Sequence, residues 1–377
     1  MSAMKTIRLL VVDDSALARR AIASSLTPFR EIEIVGMASD PYVARDQILA
    51  LNPDVVTLDI EMPRMDGLTF LKVIMKHRPM PVIIMSSLTQ AGSAKAMEAL
   101  QSGAVDVMDK PSSYSAYLDG TRLAEKVRAA ACARIGPIGD GEAAGHRAAP
   151  VPGSRPARSF PPRKIILIGA STGGTEAIKA ILTALRGDLP GICIVQHIPA
   201  FFSKAFADRL NELCELEVRE AKMGDLVAPG LALVAPGGYH MLLKWDGNHY
   251  RIELNQGPPV HYQRPAVDIL FDSAVRAGAA PHAVAALLTG MGTDGAAGLL
   301  QLRDAGAVTI AQNEQSCVVF GMPREAIRLG AAQKVLSLPQ IAPYLETAIA
   351  NATAPRPLVA ANGRAEGSPR FLKDQIL

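Results

Sequence analysis

Two groups of residues in this 377-residue chain have the types and spacing for covalent chemistry. The first is acidic. Asp13 and Asp14 follow one apolar run, Asp59 ends another, and Lys110-Pro111 follows a third. Three carboxylates brought together repel one another, and a hard divalent cation such as Mg²⁺ removes that repulsion. The cation also neutralises an incoming phosphoryl group while a lysine grips another of its oxygens. Asp13, Asp14 and Asp59 are therefore the candidate metal carboxylates, Lys110 the phosphate contact, and Asp59 the nucleophile of an aspartyl-phosphate relay. The second group begins at Gly169-Ala-Ser171-Thr-Gly173, a G-x-S-x-G turn placed after the apolar run Ile165-Ile-Leu-Ile. Small residues on either side let the backbone turn sharply and expose the serine oxygen, and amides at the start of the next helix can stabilise an oxyanion. A serine nucleophile needs a base, and the base an orienting acid. His197 in Gln-His197-Ile-Pro and Asp294 in Thr289-Gly-Met-Gly-Thr-Asp294-Gly each follow a further apolar run and supply both.

Taken singly, each of these residues has an ordinary reading: a solvated strand-end aspartate, a structural histidine, a plain glycine turn. Their convergence decides otherwise, because loops at the carboxyl ends of parallel strands meet on one edge of a sheet. Up to about residue 133, short and almost wholly apolar runs alternate with longer amphipathic segments, the pattern of a doubly wound parallel sheet with helices on both faces. Strands are expected at 7–12, 32–38, 55–59, 82–86 and 105–108, and helices at 17–26, 43–51, 68–76, 94–101 and 118–133. Asp13, Asp14, Asp59, Ser86, Ser87 and Lys110 then share one rim. A second alternation runs from 164 to about 350, with strands at 165–169, 192–196, 231–234, 284–288 and 308–311 and helices at 175–185 and 267–276. Residues 241–254 read as an antiparallel hairpin turning at Asp246-Gly247. This domain is accordingly mixed, mainly parallel α/β, with Ser171, His197 and Asp294 at strand ends. The order Ser, His, Asp differs from the Ser, Asp, His of the α/β-hydrolase fold. A dinucleotide fingerprint is excluded, since its second glycine falls on Ser171 and no acidic residue ends the next strand.

Between the two lies a stretch rich in Pro and Gly, which cannot bury enough surface to offset its ordering entropy. The expected organisation is a five-stranded α/β domain at 5–133, a flexible linker at 134–163, a catalytic domain at 164–350 and a disordered tail at 351–377. A hydrophobic fraction of 49% and a charged fraction of 20% suit two globular cores, and a net charge of +3 draws the chain neither to nucleic acid nor to an anionic membrane. No signal peptide or long apolar span is seen, so a cytoplasmic protein is expected. The four cysteines lie at no metal-ligand or disulfide spacing. Arg264-Pro265 and Asp268, at the entry to the helix 267–276, are candidates to line the site, and an ordinary helix start with a first-turn carboxylate explains them equally well. His240, His261 and His282 lack triad or metal context, and Phe201-Phe202 reads as a buried packing pair.

On Asp13-Asp14, Asp59, Met62-Pro63, Asp66-Gly67 and Lys110-Pro111, residues 5–125 resemble the receiver domain of two-component response regulators. The resemblance implies Asp59 as phosphoacceptor, Asp13 and Asp14 as the acidic Mg²⁺ site, Lys110 as phosphate contact, Ser86 or its neighbour Ser87 as switch hydroxyl, and a cis bond before Pro111. Val107 stands where many receivers carry an aromatic ring, so coupling by ring rotation is not expected. On Gly-Ala-Ser171-Thr-Gly-Gly174, Gln-His197-Ile-Pro and Gly-Met291-Gly-Thr-Asp294-Gly, residues 5–350 resemble the chemotaxis response-regulator methylesterases, the CheB-type protein-glutamate methylesterases and glutamine deamidases. This implies a Ser171–His197–Asp294 triad, with amides of Met291, Thr172 and Gly174 forming the oxyanion hole and no cofactor for hydrolysis. It implies demethylation of glutamate esters, and deamidation of glutamines, on cytoplasmic helices of methyl-accepting chemoreceptors, with a transmitter histidine kinase as phosphodonor. A receiver joined to a mere binding domain is the competing expectation, separable by hydrolytic burst kinetics. A DNA-binding regulator is disfavoured by the lack of a basic recognition helix.

Overall fold

The structure, a computed structural model, describes residues 6–86, 89–110, 120–135 and 158–352. Ser87, Pro111, most of the expected linker and nearly all of the expected tail lie outside the described residues. Among those described, the first sheet has five strands: β1 (Ile7–Val12), β2 (Ile32–Ala38), β3 (Val55–Asp59), β4 (Val82–Ser86) and β5 (Asp106–Asp109), in the order β2-β1-β3-β4-β5. Every pairing in it is parallel. Helices α1 (Ala16–Leu26), α2 (Pro41–Leu51), α3 (Gly67–His77) and α4 (Gln90–Gln101) make the four crossovers, and α5 (Gly120–Ala131) follows the last strand. Side-chain caps fix where four of them begin: Ser15 accepts from Ala18 N, Asp40 from Tyr42 N and Val43 N, Asp66 from Thr69 N, and Thr89 from Gly92 N. Such caps contribute about 1 kcal/mol each. Thr89 explains why α4 starts four residues ahead of the apolar periodicity at 94. Strand β5 is displaced by one residue from 105–108, so that Asp106 becomes its first residue, with its carboxyl buried.

The second half contains β6 (Ile165–Ala170), α6 (Gly174–Leu182), β7 (Ile192–Gln196), α7 (Phe202–Leu213), β8 (Glu217–Glu220), β9 (Leu231–Val234), β10 (His240–Trp245), β11 (Tyr250–Asn255), α8 (Val267–Arg276), β12 (Ala283–Leu287), α9 (Ala296–Asp304), β13 (Val308–Gln312), α10 (Met322–Arg328), β14 (Lys334–Leu336) and α11 (Leu338–Asn351). Seven strands form a parallel sheet in the order β14-β13-β12-β6-β7-β9-β8. The antiparallel hairpin β10-β11 stands apart as its own two-stranded sheet. Edge strands β8 and β14 are short and carry charge, as edges do when they must resist pairing with other chains, and the apolar pattern misses both. Strand β6 sits centrally with β7 on one side and β12 on the other, so the winding direction reverses there. A crevice opens at such a switch point outside the carboxyl ends of the strands, and Ser171, His197 and Asp294 follow β6, β7 and β12.

The two halves touch. Helix α4 lies against α7, with Met97 and Lys204 on the walls of a shared groove, and Arg134 donates through its backbone N–H to Val318 O at 3.0 Å. Of the expected phenylalanine pair, Phe202 is fully buried but Phe201 is 60% exposed, because a positive φ of 72° at Phe201 turns the chain into α7. Among the described residues no helix is long and apolar enough to cross a membrane.

One glycine ties the first fold to its site. A Cβ on Gly67 would lie 2.0 Å from the carbonyl oxygen of Asp59, and a backbone atom cannot give way. Gly67→Ala is expected to destabilise the first domain by about 1–3 kcal/mol, the usual cost of overpacking. Urea unfolding checks this, and an unchanged midpoint would mean that α3 can retreat freely.

Candidate active site

Ser171, His197 and Asp294 are brought together as expected from their strand ends. His197 Nδ1 lies 3.1 Å from Ser171 Oγ, and His197 Nε2 lies 2.7 Å from Asp294 Oδ2. An ionised carboxylate accepts only, so the ring proton belongs on Nε2 and the lone pair of Nδ1 faces the serine. All three side chains are buried. Asp294 is held by more than the ring: Oδ2 also accepts from Val267 N at 2.7 Å and Oδ1 from Asp268 N at 2.9 Å, both at the start of α8. Burial alone would raise the proton affinity of Asp294, but the His197 ring and these two amides outweigh it and hold the carboxyl below its ordinary range. The serine is fixed by its own backbone. Ser171 N donates to Thr289 O at 3.0 Å, and Gln196 Nε2 donates to Ser171 O at 2.8 Å. Gly290 allows this approach, since a Cβ there would stand 2.6 Å from Ser171 Cβ.

Met291 and Thr172 line a cavity of about 290 Å³ together with Ser171 and His197, which suits amides offered to an oxyanion. Gly174 does not fit that expectation. Its N–H donates to Ser171 O at 2.7 Å, closing the first turn of α6, so the donor is already committed. The cavity has a second wall that the motifs do not announce: Glu125, Lys126, Arg128 and Ala129 of α5, from the first domain. Beneath it, Thr172 Oγ1 donates to Asp106 Oδ2 at 2.6 Å, and Lys126 Nζ lies 2.6 Å from Asp106 Oδ1. All three residues are buried. A charged residue inside a strand, Asp106 in β5, was the available sequence signal.

Sequence reading gives His261 no triad or metal context, yet its Nε2 lies 3.1 Å from Asp268 Oδ2 beside the triad. The proton affinity of Asp268 is raised first by burial and next by the charge of Asp294, against the pull of the Gly298 amide and of His261. His240 is structural: its Nε2 lies 3.0 Å from Pro258 O, and its Nδ1 accepts from Ala266 N at 3.3 Å.

On the other rim, Lys110 Nζ sits 2.8 Å from both Asp13 Oδ2 and Asp59 Oδ2. Oxygens of Asp13, Asp14 and Asp59 lie within 4.8 Å of one another. This all-carboxylate set suits a hard cation such as Mg²⁺. Burial pushes the Asp59 carboxyl up to about 6 in spite of Lys110; a cation there would favour its ionised, nucleophilic form. For Lys110, burial acts downward but the bonds to Asp13 and Asp59 prevail, so its ammonium is held more firmly than usual. Ser86 ends β4 on the same rim, and its hydroxyl donates to Gly92 O in the first turn of α4 at 3.1 Å.

Residues 166–345 match the family described as CheB methylesterase, and residues 9–120 match the response regulator receiver domain. The chain is 52% identical over 343 residues to protein-glutamate methylesterase/protein-glutamine glutaminase 2 of Syntrophus aciditrophicus, an alignment spanning 90% of this chain and 98% of that one. It is 51% identical over 349 residues to enzyme 4 of the same name from Anaeromyxobacter dehalogenans, spanning 90% and 94%. To enzyme 1 of that name from Cupriavidus metallidurans it is 50% identical over 344 residues, spanning 90% and 95%.

The geometry sets two expectations for hydrolysis of a small ester such as p-nitrophenyl acetate. Ser171→Ala should fold normally and lose activity by several orders of magnitude, and Asp294→Asn, which favours the wrong ring tautomer, should lose about ten-thousand-fold. Retention of more than about a tenth of the activity by either variant would contradict the triad.

Proposed function

The chain belongs to the CheB methylesterase family, with a response regulator receiver domain ahead of its catalytic domain, and we propose that Ser171, His197 and Asp294 carry out the hydrolysis of glutamate methyl esters on chemoreceptors. The observation that carries this reading is the continuous Ser171–His197–Asp294 hydrogen-bond chain at adjoining strand ends. Ser171 Oγ attacks the side-chain carbonyl carbon of the ester while His197 Nδ1 takes its proton. The carbonyl oxygen becomes an oxyanion against the amides of Met291 and Thr172. Collapse breaks the bond to the methoxy oxygen, which takes the proton from Nδ1 and leaves as methanol. Water then gives its proton to Nδ1 and attacks the acyl-serine, releasing glutamate and restoring Ser171. With glutamine the leaving group is ammonia. Throughout, Asp294 stays ionised, keeps the Nε2 proton in place and stabilises the imidazolium.

Control comes from the receiver. Receiver domains take phosphate in the presence of Mg²⁺; here Asp13, Asp14 and Asp59 are the residues that would hold the ion, with Asp59 as acceptor and a transmitter histidine kinase as donor. When bound, the ion supplies neutralisation of the phosphoryl charge. Lys110 then turns from its two carboxylates to a phosphate oxygen, and Ser86 is drawn from Gly92 toward the same group. Both movements act on elements that meet the hydrolase half, since β5 carries Asp106, with Lys110 the next residue after it, and α4 lies on α7. A hydrogen bond from Thr172 to the charged Asp106 is worth about 1.5–3 kcal/mol, enough to shift a closed population by roughly ten- to a hundredfold. We take residues 5–133 as receiver, 134–163 as tether, 164–350 as hydrolase and 351–377 as tail. The reading places the protein in the cytoplasm, where receptor methylation sites and kinase would meet it.

The direct test is release of methanol from radiomethylated receptor membranes, expected to rise when acetyl phosphate and Mg²⁺ are added. Asp59→Asn should lose that rise and its phosphate label while keeping resting hydrolysis. Replacing Asp106 and Lys126 together, D106A with K126M, leaves no buried charge unpaired and should raise resting hydrolysis about tenfold or more. A resting rate equal to that of the parent would sink the role given to this contact.

A further inference from the structure

At the rim of the catalytic cavity one pair of residues has a backbone that opposes its own chemistry. His261 and Tyr262 have φ of 49° and 58°, two consecutive left-handed residues at the corner of a turn. Val260 and Gln263 close it with backbone bonds of 3.0 and 2.9 Å. Such corners favour Asn-Gly, because a bulky side chain crowds the backbone at positive φ. A His-Tyr corner persists only where the surroundings over-determine it, and strain of this kind collects at functional sites. The surroundings do so here. His261 Nε2 meets Asp268 Oδ2 at 3.1 Å, and Asp268 Oδ1 accepts from Gly298 N at 2.7 Å. Arg264 Nη1 donates to Gln256 O and Gly257 O at 3.0 and 2.9 Å. What this rigid corner presents is the Tyr262 ring, which lines the cavity with Ser171 and His197 and is still 65% exposed.

An exposed aromatic on a preorganised turn offers a large contact area at little ordering cost, the property that makes tyrosine a frequent binding anchor. An esterified glutamate on a receptor helix arrives with its two methylenes, its methyl group and the side chains one helical turn away. Polar catalytic atoms cannot recognise that apolar surface; a ring at the mouth of the cavity can. We propose that Tyr262 is a specificity-determining residue that packs against the esterified side chain and its helical neighbours, and that His261 with Asp268 positions it. This rests on the receptor-methylesterase reading above and adds what selects the macromolecular substrate. Asp268 also donates its backbone N–H to Asp294 Oδ1 at 2.9 Å, so the turn and the triad share one anchoring segment and keep a constant relation.

The test compares two substrates on the full-length chain activated with acetyl phosphate and Mg²⁺: radiomethylated receptor membranes, and p-nitrophenyl acetate, which is too small to bridge from Ser171 to the rim. In Tyr262→Ala the ratio of receptor to small-ester kcat/KM should fall about tenfold, the scale of losing an aromatic anchor. The fall should be carried by KM for receptor, with kcat largely kept, whereas Tyr262→Phe should hold the ratio. His261→Ala should lower the ratio in the same sense, and His261→Asn, which tolerates the left-handed backbone, should recover part of it. Equal losses on both substrates, or an unchanged ratio in Tyr262→Ala, would overturn the proposal. A parent enzyme that cleaves the small ester but releases no methanol from receptor would instead overturn the functional reading, and the proposal with it.

Discussion

A carboxylate as deeply buried as Asp294 is tolerated only where donors surround it. Its three donors come from two places: the His197 ring beyond β7 and the two leading amides of α8, Val267 and Asp268. Removing any of them would leave a charge uncompensated at a cost of several kcal/mol, so the loop after β12, the loop after β7 and the start of α8 are locked into one arrangement. Catalytic order follows from that lock. With Nε2 committed to Asp294, the Nδ1 lone pair has one place to face, and Ser171 Oγ is there at 3.1 Å.

The same logic of buried charge explains how two domains can act as one device. Asp106 brings a carboxylate to the base of the catalytic cavity and needs partners; it takes Lys126 from its own domain and the Thr172 hydroxyl from the other. Four residues along the chain, Lys110 serves Asp13 and Asp59 at the opposite end of β5. One short strand and the residue that follows it thus bring a side chain to each chemical centre. A strand within a parallel sheet is a stiff connector, and a small displacement at one end reaches the other because packed interfaces tend to be bistable.

Much of this is legible in the sequence alone. Apolar runs bounded by Asp13, Asp59, Ser171 and His197 announce parallel strands, and a parallel sheet delivers their carboxyl ends to one edge whatever the detail of the loops. Helix starts read less well, because one capping side chain moves them: Thr89 begins α4 at Gln90, four residues ahead of the apolar periodicity. What stayed hidden depends on contacts between segments far apart in the chain. His261 looks idle until α8 brings Asp268 beside it. Gly174 looks like an oxyanion donor until the first turn of α6 commits its amide to Ser171 O. Asp106 passes unremarked within the expected strand 105–108, because its two buried partners come from α5 and from the loop after β6. Edge strands β8 and β14 escaped because an edge is short and charged for reasons unrelated to hydrophobic periodicity.

On the function proposed here, a preassembled triad lies under a receiver whose phosphorylation uncovers it. The most direct measurement is the rate at which a fluorophosphonate labels Ser171 in the full-length chain, followed by peptide mass spectrometry with and without acetyl phosphate and Mg²⁺. Labelling is expected at Ser171 in both states, because the triad is already formed, and about tenfold or more faster when Asp59 is phosphorylated, on the scale of releasing the Thr172–Asp106 bond. Equal rates in the two states would contradict occlusion, and a label on any other serine would contradict the triad.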